Sequence, residues 1–164
     1  MTAAEQIHCM VDFLNQIGIP TIFETLEEST FLPGILIDSG GMRIDQSKLA
    51  YQGDLLHEAG HIAVALPEDR IKMVGDAGGG GMGDEIAAML WSFAAAKALN
   101  LPEEIIFHAG GYQGSSSWFV EHYRDQQHYI GLPLLEWMGL TAGPAKAETL
   151  GVPPFPHMLR WLRI

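Results

Sequence analysis

Residues 57–61 read His-Glu-Ala-Gly-His, an HExxH pattern. An α-helix turns about 100° per residue, so His57 and His61 share one face a single turn apart. With His57 at 0°, His61 falls at about 40°, Asp54 at about 60° and Glu58 at about 100°, while Leu55, Ala59, Ile62 and Leu66 cluster at about 140–200°. One side of such a helix is greasy, and the other carries two imidazoles and a carboxylate. Two imidazoles can each hold Zn²⁺ at about 2.0–2.1 Å with Glu58 just outside the ligand set. Zinc lowers the pKa of a bound water toward about 7, and Glu58 is placed to take its proton during attack on a carbonyl. In a random chain of this composition the pattern is expected about 0.02 times. Gly60 costs helix propensity of about 0.8–1.0 kcal/mol relative to Ala. It sits between the two histidines, where it relieves crowding if another element packs there.

A catalytic zinc needs a third protein ligand. The metzincin continuation would put Gly at position 64 and His at 67, where this chain has Val64 and Pro67. A deformylase arrangement needs a ligand cysteine in a glycine-flanked setting, which Cys9 lacks. What remains is a carboxylate on a second helix. Asp84 and Glu85 open the helix after the glycine-rich stretch, with 23 residues between His61 and Glu85.

The chain here resembles the gluzincins, in which HExxH on one helix is completed by a Glu on the next. That resemblance implies His57, His61 and Glu85 as zinc ligands and Glu58 as general base. The hairpin before Leu55-Leu-His-Glu-Ala-Gly-His61 and the Glu85-Ile-Ala-Ala88 of the next helix are similar to the small ImmA/IrrE-type metallopeptidases. The resemblance covers about residues 35–99. Where larger gluzincins often carry Asp four residues after the ligand Glu, this chain has Met89. The implied activity is zinc-dependent hydrolysis of a peptide or protein substrate. The alternative is a non-catalytic module that keeps the metal for stability or partner binding.

Other groups compete for a role. Gly78–Gly83 satisfies GxGxxG ahead of a helix, but Asp84 and Glu85 place negative charge where a pyrophosphate would sit. Tyr112, His122, Tyr123, His128 and Tyr129 can all donate to an oxyanion, and His122 and Tyr123 are the nearest candidates.

The elements that must position these groups follow from periodicity and punctuation. Residues 3–17 form an amphipathic helix ended by Gly18, and Thr21–Phe23 read as a strand. Two apolar runs within 34–45 flank Ser39-Gly40-Gly41, a hairpin signal. Residues 47–66 are expected to be helical, with Ser47 as cap and Pro67 as terminator. Ile71–Val74 reads as a short strand, Gly75–Gly83 as a loop and 84–99 as a helix, its Lys97 end meeting solvent. Further on, 108–117 is loop-like, and helices are expected over Trp118–Ile130 and Pro133–Leu140. A proline-containing connection, Gly151–Pro156, leads to an apolar turn or helix at Met158–Ile164. The fold class is α+β, a single zincin-like domain of 164 residues with a small antiparallel sheet or hairpin packed among several helices.

Composition agrees with this picture. A net charge of −11 opposes sequence-independent nucleic-acid binding, which needs a basic surface. Hydrophobic residues at 48% supply a core. No run approaches the roughly 18 apolar residues of a membrane span, and Glu5, His8 and Asp12 interrupt any signal-peptide pattern at the start. With a single cysteine, Cys9, the expected compartment is the reducing cytoplasm. Oligomeric state and substrate identity are not encoded in any of these patterns.

Overall fold

Thr2 and Glu5 close a reciprocal capping box that starts helix α1 (Ala3–Ile17). Gly18, at φ 96°, ends it in the left-handed conformation that favours glycine. The Asn15 side chain then donates to the Thr21 carbonyl and accepts from the Thr21 N–H, tying α1 to strand β1 (Thr21–Phe23). The computed structural model that shows this describes residues 1–75, 81–108, 110, 116–124 and 129–164.

Strands β2 (Ile35–Asp38) and β3 (Gly41–Ile44) form the expected hairpin. Ser39 and Gly40 both take positive φ, 52° and 78°, as a two-residue turn of this hand requires. Strand β4 (Val74–Gly75) adds antiparallel to β2, and β1 adds parallel to β3, giving the order β1-β3-β2-β4. The sheet is therefore mixed rather than purely antiparallel. Residues 24–34 carry the chain back before β2 starts, so β1 and β3 run the same way.

The remaining described elements are α2 (Asp54–Val64), α3 (Pro67–Arg70), α4 (Met82–Ala98), a 3₁₀ turn at Glu103–Ile105, α5 (Ser116–Arg124), α6 (Leu132–Trp137) and α7 (Pro144–Leu150). The architecture is α+β. Every residue from Ala87 to Ala96 of α4 is buried, so α4 is the central helix, with α2 packed along it. The inward-facing Ile35, Ile37, Met42 and Ile44 of the sheet belong to the same core cluster as α1, α2 and α4. No described helix is long and apolar enough to cross a membrane.

Several boundaries differ from expectation, each for a local reason. Ser47 caps no helix, because Asp45 captures both its N–H and its hydroxyl in a side-chain turn that competes with helix formation. The helix starts instead at Asp54 behind Gly53, whose added Cβ would lie 1.8 Å from the Ile105 carbonyl oxygen. Pro67 does not simply terminate α2; it occupies the first turn of α3, where a missing N–H costs nothing. The short strand lies at Val74–Gly75 rather than 71–74, and α4 begins two residues early, at Met82. Residues 76–80 of the glycine loop lie outside the described residues. Helix α5 is described over Ser116–Arg124, and 125–128 of the helix expected to Ile130 lie outside the described residues. Helix α6 is shorter than expected, and 158–164, expected as a turn or helix, forms bends anchored by a Thr141–Met158 bridge. The short α7 carries little apolar periodicity and escapes sequence reading.

Candidate metal centre

Helix α2 carries His57, Glu58 and His61, and α4 carries Glu85 in its first turn. The crossing of the two helices is set by Gly60. A Cβ there would lie 2.6 Å from the Ala88 carbonyl oxygen, so only glycine permits the approach. Glu85 stands three positions before Ala88, about one turn earlier on α4, which brings the carboxylate over the histidine face of α2. His57 Nε2 lies 3.2 Å from Glu85 Oε1, and His61 Nε2 lies 3.1 Å from Glu85 Oε2. The two imidazole nitrogens are themselves 3.2 Å apart.

The donor set fits a single ion. Two donors, each about 2.0–2.1 Å from a tetrahedral Zn²⁺, stand about 3.3 Å apart, close to the separations seen among all three groups. Two imidazoles and a carboxylate are also borderline donors of the kind zinc takes. The donor atoms of His57, Glu58 and His61 lie within 4.8 Å of one another, so the general-base candidate adjoins the same point.

Electrostatics follow from this convergence. Burial disfavours a charged His57, but hydrogen bonding to Glu85 and the nearby carboxylates of Glu58 and Asp54 outweigh it and raise its proton affinity above the ordinary value. Hydrogen bonds from His57 and His61 hold the Glu85 carboxyl far below the usual carboxylate range, against its partial burial. Glu85 remains half-exposed, whereas Glu58 and His61 are buried. Polar side chains of this kind are rarely enclosed without a partner.

Of the two carboxylates that open α4, the structure brings Glu85 and not Asp84 to the imidazoles. His122 and Tyr123 have other surroundings. His122 stacks on Trp118 at 4.6 Å, and its Nε2 is buried with no hydrogen-bond partner among the described residues. Tyr123 is 1% exposed, stacks on Phe107 and donates to the Ile130 carbonyl. Burial pushes its phenol well above the ordinary value, so it stays protonated. Tyr112 and His128 lie outside the described residues.

Sequence reading misses a partly buried polar pair. His108 Nε2 contacts Asp54 Oδ1 at 2.8 Å, and the His108 ring stacks on Tyr51 at 3.9 Å. Asp54 stands three residues before His57, so the pair pins the first turn of α2. The other ring nitrogen of His108, Nδ1, is buried with no hydrogen-bond partner among the described residues, and Nε2 holds the Asp54 carboxylate. The helical position of Asp54 was a visible signal; a partner 54 residues away in sequence was not. A pocket of about 600 Å³ borders the pair, lined by Ile7, Leu49, Tyr51, Gln52, Ile105 and His108 among others.

Comparison of the chain with protein-family models, curated proteins and solved structures finds no match.

Proposed function

We propose that the chain is a zinc-dependent metallohydrolase that cleaves a peptide or amide bond, a minimal gluzincin similar to the small ImmA/IrrE-type metallopeptidases. One observation carries the reading: the side chains of His57, His61 and Glu85, from two helices, stand 3.1–3.2 Å from one another, with the buried Glu58 carboxylate beside the two imidazoles. Zinc, when bound, supplies Lewis acidity toward a carbonyl oxygen and a water. His57, His61 and Glu85 hold the ion. The Glu58 carboxylate accepts the proton of the attacking water and returns it to the leaving nitrogen. Its burial keeps bulk water from competing for that proton. The single cysteine fits a reducing, cytoplasmic setting.

The nearness of Glu58 favours a second reading. If Glu58 joined His57, His61 and Glu85 as a fourth ligand, the shell would be closed and the metal structural. Metal content and hydrolysis of a mixed fluorogenic peptide pool separate these readings. In the enzyme, wild type binds one zinc and cleaves, while Glu58→Gln keeps the zinc and loses about 10²–10⁴-fold in rate. Zinc loss in Glu58→Gln, with no cleavage by wild type, supports the structural alternative. Zinc-free wild type after metal supplementation, with His57→Ala unchanged in every property, overturns both.

A further inference from the structure

The last turn of α2 ends in carbonyls that have no partner within the helix. Their partners come from two arginines. Arg70 Nε donates to the Ile62 carbonyl at 2.9 Å, and an Arg70 Nη donates to the Ala65 carbonyl at 3.0 Å. The Arg163 backbone N–H donates to the Ala63 carbonyl at 2.9 Å, and its guanidinium reaches the Val64 carbonyl at 3.3 Å. Arg70 also binds the Arg163 carbonyl at 2.8 Å, so the two arginines form one unit. Behind Arg70 stands the β2–β3 turn: a Cβ on Gly40 would lie 2.8 Å from Arg70 Cγ. Cations at a helix C-terminus are favourable in addition to the hydrogen bonds they donate.

The same short segment reaches the other ligand-bearing helix. Trp91 of α4, six residues beyond Glu85, donates its indole N–H to the Trp161 carbonyl at 2.9 Å. The two indoles meet edge to face at 5.5 Å, and Trp161 packs likewise on Phe13 of α1 at 4.9 Å. Residues 161–163 thus bond to α2 at one point and to α4 at another, and His61 stands three residues from Val64.

We propose that Arg70 and residues 161–163 are positioning residues for the zinc ligands, a strap that fixes the end of α2 against α4. The inference rests on the metal-site reading above. Ligand sites tolerate displacements of only about 0.5 Å, so loosening the final turn of α2 displaces His61 from the point it shares with His57 and Glu85. Coupling between strap and metal is reciprocal by necessity: whatever factor the strap adds to zinc affinity, zinc adds to strap docking.

The test uses zinc affinity by competition with a chromophoric chelator, together with the visible spectrum of the Co²⁺-substituted protein. Both are measured at a temperature where every variant is folded. Arg70→Ala should weaken zinc binding about tenfold, the range seen when groups supporting metal ligands are removed. It should also alter the Co²⁺ spectrum, with partial recovery of both in Arg70→Lys. Should Arg70→Ala fail to fold, Arg163→Ala loses the Val64 contact and the packing of the guanidinium over the Trp137 ring at 4.8 Å, keeps its backbone bond to Ala63, and should shift affinity in the same direction. In wild type, bound zinc should slow tryptic cleavage after the exposed Arg160. Variants that melt lower yet bind zinc with unchanged affinity and spectrum, and cleavage indifferent to zinc, overturn the strap while leaving the metal site standing. A wild type that takes up no zinc overturns the metal-site reading and the strap with it.

Discussion

His57 and His61 are legible from sequence because helical geometry puts residues four apart on one face, and in the structure their Nε2 atoms stand 3.2 Å apart. The third donor is a harder problem. Asp84 and Glu85 are adjacent, and only the rotation of α4 about its axis decides which carboxylate points at α2. In the structure it is Glu85 that contacts both imidazoles. Glu85→Gln is therefore expected to cut zinc affinity by at least about tenfold, whereas Asp84→Asn should leave it within about twofold. Chelator competition on the two purified variants checks this, and equal losses would count against the assignment. The His108–Asp54 pair was illegible for a different reason: nothing in local spacing reports a contact made across 54 positions.

At the scale of elements, α1, β1, the hairpin and α4 are all readable, because each has periodicity and a distinct stop such as Gly18 or Ser39-Gly40. The long helix expected over 47–66 shrinks to Asp54–Val64 because two events outweigh its apolar spacing. Asp45 folds its side chain over Ser47, and Gly53 meets the backbone at Ile105. Gly60 works at this same scale. Alanine would gain about 1 kcal/mol of helix propensity, yet its Cβ would lie 2.6 Å from a backbone oxygen of α4. Backbone cannot rotate out of the way as a side chain can, so the helices must separate at a cost of about 1–3 kcal/mol. Gly60→Ala should lower stability by a net of about 0–2 kcal/mol in chemical denaturation. It should also weaken zinc binding, because Glu85 is carried outward with α4. A variant that is destabilised with full zinc affinity would show that the crossing distance does not govern the site.

For the molecule as a whole, acid stability depends on how the 24–34 connection is held to the sheet. The Asp45 carboxylate accepts from the Ser47 hydroxyl and N–H and from the Leu26 N–H, and it pairs with Lys48 at 3.6 Å. These contacts, the Ser47 hydroxyl first, hold its carboxyl below the ordinary value. A depressed folded-state value means that the group's contribution to stability is complete above the unfolded value of about 3.9 and disappears as pH falls through the folded one. Asp45→Asn should lower the melting temperature at neutral pH and flatten its decline as pH falls below about 4. Thermal melts across that range measure both effects, and an unchanged acid slope would remove Asp45 from the account. Lys48 also reaches the Leu26 carbonyl, so one turn closes the connection from two sides.

The edge-to-face meeting of Trp91 and Trp161 also gives the protein an internal optical gauge. Indoles fixed this closely couple their electronic transitions, so the pair should dominate the near-ultraviolet circular dichroism that depends on rigid packing. The other two tryptophans differ in setting: Trp118 is 49% and Trp137 73% exposed, so both are open to soluble quenchers, while Trp91 is 0% exposed. Detachment of residues 161–163 would weaken the chiral signal and at the same time release Trp161 to the quencher and uncover the Trp137 ring that Arg163 overlies at 4.8 Å, so that both readings would change together without any label.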